Sequence, residues 1–228
     1  MKHKSFFIAS ENETVGEVAF RNIRADIIRG KLKPGQKLKL EKLKADYGVA
    51  VPTLREILSR LAAEEFVVAE GQRGFEVTSV SEAGLRDIAA LRLLLETHAL
   101  RQSIATGDLH WEARVVSSHY MLKVVETKLI DGDISQVEQW VQQDWEFHHA
   151  TISACASPAM MAAHSTAFDR FLRYHMLVLD FRGKPAADEH AQLRDLVIAR
   201  DAEAAIKLLT SHVESGLNHV LGTGKIPA

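Results

Sequence analysis

Between Thr14 and Gly30 the apolar residues Val15, Val18, Ala19, Ile23 and Ile27 recur at the three-to-four-residue step that turns one face of a helix inward. Thr14 suits an N-cap, Glu17 completes a capping box, and Gly30 ends the helix. KLKPGQKL then reads as a turn built on Pro-Gly. Leu40, Leu43 and Tyr47 mark a short second helix stopped by Gly48, and a third starts near Pro52 with Leu54, Ile57, Leu58 and Leu61 on its inner face. The period then changes: FVVAE and FEVTSV are β-rich runs separated by GQRG, the pattern of a hairpin with a glycine-containing turn. Three helices and a hairpin predict a winged helix-turn-helix over residues 1–79.

After Ser79-Val80-Ser81 strand patterning disappears, and amphipathic helices are predicted at 82–105, 110–131, 134–155, 158–182, 186–200 and 202–221. The breaks fall at Thr106-Gly107-Asp108, Asp131-Gly132-Asp133, Ser157-Pro158, Gly183-Lys184-Pro185 and Asp201. The predicted fold class is therefore mainly α. A winged helix-turn-helix precedes an all-helical antiparallel bundle of six helices over residues 82–228.

Charge sharpens the division. Residues 1–80 hold 14 Lys+Arg against 11 Asp+Glu, whereas 81–228 hold 14 against 19 and ten of the eleven histidines. Two regions so different suit different partners. The single cysteine, Cys155, excludes an internal disulfide and reads as a small buried hydrophobe. No run approaches the ~18 apolar residues of a membrane span. Phe6 to Ala9 is too short for a signal peptide's apolar core. A cytoplasmic protein with no membrane partner is expected.

Between Arg29 and Lys44 stand seven basic residues, including Lys39 and Lys44, and one acid, Glu41. Alone, such a run is a solvated lysine-rich turn; inside a helix-turn-helix and beside Arg73 in the wing it predicts binding to double-stranded DNA. The G-x-L-x-P-G turn, Leu38 and Leu43, the Leu54-Arg55-Glu56 core of the third helix and the Arg73-Gly74 wing tip resemble the DNA-binding domain of the GntR family of bacterial transcription regulators. There are departures. VAVPTLRE stands where the family usually writes V-S-R-x-P-V-R-E, so Ala50 replaces a capping serine and Val51 an arginine that contacts DNA. Arg55 is then the best candidate for a bidentate base or phosphate contact. Thr53, Arg73 and Gly74 are weaker candidates, and Arg60 reads as a surface residue.

In the third bundle helix Val137, Val141, Asp144, His148, Ile152 and Cys155 share a stripe, while His149 is turned away. His190 precedes Leu193 and Val197 on another stripe, and His212 shares a face with Leu208, Leu209 and Gly216. An isolated inward histidine is ordinarily satisfied packing; three with one inner carboxylate point to a divalent cation, zinc first and nickel or manganese also suited. The spacing D-x-x-x-H, then Glu189-His190, then a histidine 22 residues on resembles the metal signature of the FCD effector domain, which defines the FadR branch of GntR regulators. Six helices match its VanR-like division. The resemblance implies that Asp144, His148, His190 and His212 hold the metal. It also implies that Arg92, four residues before Glu96, clamps an anion; the plainer alternative is an Arg92–Glu96 helix pair.

Counting one carboxylate, a divalent ion and Arg92 leaves positive charge for a small organic carboxylate effector. Arg173, with Ser118, His119 or Tyr120, is a further candidate for the pocket, although each is more readily a surface or packing residue. The reading is a homodimeric, effector-modulated transcription regulator, a repressor rather than an enzyme. The competitors are a metal-dependent hydrolase using Glu146 or His149 as base, and a regulator whose metal is purely structural.

Overall fold

The first helix, α1 (Val15–Ile28), starts at a capping box: Thr14 Oγ1 accepts the Glu17 amide at 3.2 Å and the Glu17 carboxylate accepts the Thr14 amide at 2.8 Å. The computed structural model describes residues 13–69, 71, 74–178 and 181–228. α2 (Leu40–Tyr47) stops at Gly48, whose φ of +67° is open to a residue without a Cβ. α3 (Val51–Ala63) has Pro in its first turn but no side-chain cap, because Ala50 at the N-cap offers no acceptor. Ile23, Ile27, Leu54, Leu58 and Leu61 meet in one core.

Among the described residues three short strands follow the sheet order β1-β3-β2, all antiparallel: β1 (Lys37–Leu38), β2 (Val67–Ala69) and β3 (Phe75–Val77). The predicted hairpin is β2–β3, with Val67 opposite Val77 and Ala69 opposite Phe75. β1 was not predicted: it is two residues within the Pro-Gly turn segment, too short for alternation to register, and pairs Leu38 with Phe75. Arg73 at the wing tip, and the N-terminal run Phe6 to Ala9, lie outside the described residues.

Among the described residues six α-helices make up the remainder: α4 (Glu82–Thr106), α5 (Leu109–Ile130), α6 (Val137–Ile152), α7 (Pro158–Val178), α8 (Lys184–Ile198) and α9 (Ala202–Gly222). Ser81, Asp108 and Asp201 cap α4, α5 and α9 through their side chains. The largest shift from expectation is at α6. Asp133 accepts the Ser135 amide at 3.1 Å and starts a 3-10 turn, Ile134–Gln136, before the α-helix begins. α7 was expected to reach 182; it is described as far as Val178, residues 179 and 180 lie outside the described residues, and 181 and 182 are not helical. α4 packs on α7 and α9, and α5 on α6 and α8. Cys155 is buried among these apolar residues. Among the described residues no helix is long and apolar enough to cross a membrane.

The core around α1–α3 continues into this bundle, taking in Val141 and Trp145 of α6 and Phe168, Leu172 and Met176 of α7. An ion-pair bridge crosses the same junction. Arg24 Nη1 donates to Asp169 at 2.6 Å and Nε to Glu64, just past α3, at 2.8 Å. Burial disfavours the charge on each partner: it leaves Asp169 raised despite Arg24, whereas Asp169 and Glu64 hold Arg24 protonated.

Candidate metal centre

Asp144 and His148 lie one helical turn apart on α6, His190 on α8 and His212 on α9, and all four are buried. Ligand atoms from the three histidines lie within 4.8 Å of one another. Asp144 Oδ1 is 3.4 Å from His190 Nε2 and 3.9 Å from His148 Nε2. The geometry therefore draws the four predicted residues together from three helices.

Each imidazole is held from behind by a carboxylate. His148 Nδ1 is 2.6 Å from Glu96, His190 Nδ1 2.7 Å from Glu126 and His212 Nδ1 2.6 Å from Glu189. An ionised carboxylate only accepts, so Nδ1 of His148 and of His190 carries a proton and a neutral ring there presents its lone pair at Nε2, while His212 Nδ1 faces both Glu189 and, at 3.1 Å, the Arg182 guanidinium. The Nε2 atoms of His148 and His190 are buried with no hydrogen-bond partner. Unpartnered lone pairs beside a carboxylate are costly alone, and they suit a divalent cation.

The sequence pattern suggested one inner carboxylate; the structure adds Glu96 and Glu126, both buried. Glu126 shares the stripe Val115, His119, Leu122, Glu126 on α5. That is the same periodic signal that singled out Asp144, so it was open to detection. These acids also revise the charge count. Asp144, Glu96 and Glu126 outweigh Arg92 by two negative charges, while Glu189 is cancelled by Arg182 at 2.7 Å. A divalent ion would balance the site rather than leave it positive.

Protonation follows this pattern. Burial opposes ionisation of Glu96, but Arg92 and then His148 hold its carboxyl well below the usual carboxylate range. Burial pushes His148 and His212 down, in His212 reinforced by the other two rings. His190 is raised: burial works against its charge, and the hydrogen bond and charge of Glu126 overcome it.

Asp144, His190 and His212 line a cavity that also contains Arg92 and Arg182. Arg92 does form the helix pair, Nε to Glu96 at 2.7 Å, yet its Nη2 is buried without a partner and it lines the cavity. Both sequence readings of Arg92 are thus compatible. Arg173 is a correction. It is buried, but its Nη2 donates to the Thr78 carbonyl at 2.5 Å beside the connection to the N-terminal elements, away from the cavity lining. Ser118, His119 and Tyr120 do not line the cavity either; Ser118 bonds the Val115 carbonyl and Tyr120 is exposed. Glu146 and His149, the bases a hydrolase would need, are also absent from the lining, His149 being stacked on Trp145 at 4.5 Å.

On the N-terminal elements, Arg55 is exposed on α3, and Lys39 and Lys44 are exposed on and beside α2. Thr53 is half-buried and turns its methyl towards Gly16 of α1, which limits its reach. Gly74 has φ of +99°, which restricts the position to glycine in practice. Arg60 lies over the Phe20 ring at 4.0 Å, a packing contact.

The family model for bacterial regulatory proteins of the gntR family matches residues 16–77, and that for the FCD domain matches residues 87–215. The chain belongs to the GntR family. It is a bacterial transcription regulator with an FCD domain. Such a chain is 42% identical over 207 residues to the uncharacterized HTH-type transcriptional regulator BphR of Paraburkholderia xenovorans (strain LB400), covering 90% of this chain and 84% of BphR. It is 32% identical over 200 residues to the HTH-type transcriptional repressor GlaR of Escherichia coli (strain K12), covering 85% and 90%. Among solved structures, E. coli McbR/YncC superposes with a TM-score of 0.77 at 18% identity, covering 93% of this chain and 99% of that one. A GntR regulator from Rhodococcus sp. RHA1 gives 0.72 at 23% identity, covering 91% and 97%. At these identities the structural matches speak for the fold alone.

Proposed function

We propose that this GntR regulator is a homodimeric, metal-dependent sensor of a small organic carboxylate, binding operator DNA through α3 and the wing and releasing it on effector binding. The observation that carries the reading is the convergence of His148, His190 and His212 beside Asp144, each ring held at Nδ1 by a carboxylate and two Nε2 lone pairs left unpartnered. Asp144 and the three imidazoles would hold the ion, zinc being the first choice and nickel or manganese compatible. When bound, the ion supplies an open position for a carboxylate oxygen, and Arg92 Nη2 meets the same group. Repression is the direction assigned because GlaR carries that name.

α7 is the route by which effector binding reaches DNA. Its Phe168 lies under the Arg92 guanidinium at 4.2 Å, and the next residue, Asp169, pairs with Arg24 of α1, which also holds Glu64 beyond α3. An effector drawing on Arg92 would shift α7, and α1 with it, and so favour one spacing of two DNA-binding domains over another. Exposed apolar residues on α4 (Leu91, Leu94) and α5 (Val116, Tyr120, Val124) offer surface for a second copy to cover.

Native mass spectrometry of the protein as isolated tests the reading. A dimer carrying one divalent ion per chain with a small acid is the expected species; a protein that takes up no ion even after incubation with zinc, nickel and manganese would overturn it. A structural ion alone would instead show as chelator-induced melting without a thermal response to any organic acid. For DNA, Arg55→Ala is expected to weaken binding to operator fragments selected by the unmodified protein by roughly 5- to 150-fold. Metal content should be retained, and undiminished specific binding would remove α3 from the recognition role.

A further inference from the structure

The effector reading above leaves the chemical class of the acid open, and the cavity walls restrict it. Two cationic side chains line the cavity among the described residues. Arg182 is spent on Glu189, through Nη1 at 3.3 Å and Nη2 at 2.7 Å. Arg92 is fixed by Glu96 and by Phe168 and Phe171, whose ring centres are 4.2 and 5.0 Å from its Cζ, leaving Nη2 as its buried donor without a partner. One carboxylate exhausts that capacity. His175 also lines the cavity, but burial, with Arg92 and Arg182 adding to it, pushes its imidazole down to about 3, so it adds no charge for a second acid group.

Aromatic side chains make up much of the remaining lining. Trp140 and Phe181 meet edge to face at 5.1 Å, and Phe171 packs on His175 at 4.8 Å. Gly216 lies within α9 and lines the same space. A glycine inside a helix is destabilising relative to alanine. Here a Cβ would stand 3.3 Å from His175 Cε1 and 3.4 Å from Nε2, so the glycine lets the His175 ring pack closely against α9. His175 Nε2 is itself buried without a hydrogen-bond partner. A neutral ring nitrogen there can meet one uncharged polar substituent.

We propose that the effector is an aryl monocarboxylate whose acid group is taken at the histidine cluster and Arg92 and whose flat body lies among Trp140, Phe171 and Phe181. Aromatic walls favour an aromatic guest in edge-to-face or offset arrangement. An aliphatic dicarboxylate would bury its second charge without a free cation to receive it.

Titration calorimetry on the zinc-loaded full-length protein with benzoate, phenylacetate, succinate and glutarate decides the matter. The aryl probes are expected to bind at least tenfold more tightly than the dicarboxylates. Phe181→Leu, which keeps an apolar wall but removes the ring, should reduce that preference to threefold or less, and Trp140→Leu should do the same if that variant proves unstable. Dicarboxylates binding as tightly as, or more tightly than, benzoate and phenylacetate would overturn the aryl assignment and leave the carboxylate-sensor reading standing. Failure of all four probes to bind would overturn both.

Discussion

Arg24→Met should lower folding stability by about 3–5 kcal/mol, the cost of leaving a buried carboxylate without its partner, seen as a fall in the urea midpoint. Asp169 is fully enclosed beside Arg24 at 2.6 Å, and its other oxygen, Oδ1, has no hydrogen-bond partner. Removing the guanidinium therefore strips that carboxylate of its main compensation. The double change Arg24→Met with Asp169→Leu should recover most of the loss, because an apolar pair needs no compensation at a junction already lined by Trp145, Phe168 and Leu172. A midpoint unchanged in the single variant would show that the pair does not hold the two regions together.

The pH dependence of that variant has a definite sign. Burial already raises the Asp169 carboxyl with Arg24 present, and loss of Arg24 raises it further. A folded-state pKa above the unfolded value stabilises the fold below the unfolded pKa, and that stabilisation is lost as pH rises through the folded value. The deficit of Arg24→Met should accordingly shrink between pH 7 and pH 5, where the neutral acid is the cheaper form to bury. A deficit constant over that range would mean that Asp169 is not the group left unpaired.

What could be read from the sequence, and what could not, follows from the range of each interaction. Helices α1 to α9 were legible because their signals are local: Thr14 with Glu17, Gly48 past α2, Asp108 and Asp201 at N-caps, and apolar steps of three and four. Asp144 and His148 were legible for the same reason, as two side chains one turn apart on an inward stripe. Periodicity says which face is buried but not what that face meets. Glu126 reaches His190 across 64 residues and Arg24 reaches Asp169 across 145, and no spacing rule links either pair. Arg173 misled for the complementary reason. It is buried, as a packing residue would be, but its contact is the Thr78 carbonyl rather than the cavity. β1 was missed because Lys37 and Leu38 owe their strand geometry to β3, which lies almost forty residues further on.

The carboxylates behind the histidines give the other large expectation. His190→Ala should abolish stoichiometric zinc uptake, since it deletes one of three converging imidazoles. Glu126→Gln should retain the ion but bind it roughly 10- to 100-fold more weakly, the usual cost of losing a partner that fixes a ligating ring. The amide still fills the space at 2.7 Å from Nδ1, so a folding defect is not the expected cause; what it lacks is the charge that keeps the proton on Nδ1 and the lone pair on Nε2. His149→Ala provides the contrast, because that ring stacks on Trp145 at 4.5 Å and is absent from the cavity lining. Its zinc affinity should stay within about threefold of the unmodified protein, well inside the range that one displaced ring-holding partner produces. Competition with a chromophoric chelator measures all three. If Glu126→Gln bound zinc as tightly as the unmodified protein, the carboxylates would be compensating buried imidazoles rather than orienting ligands, and the centre would have to be assigned to Asp144 and the rings alone.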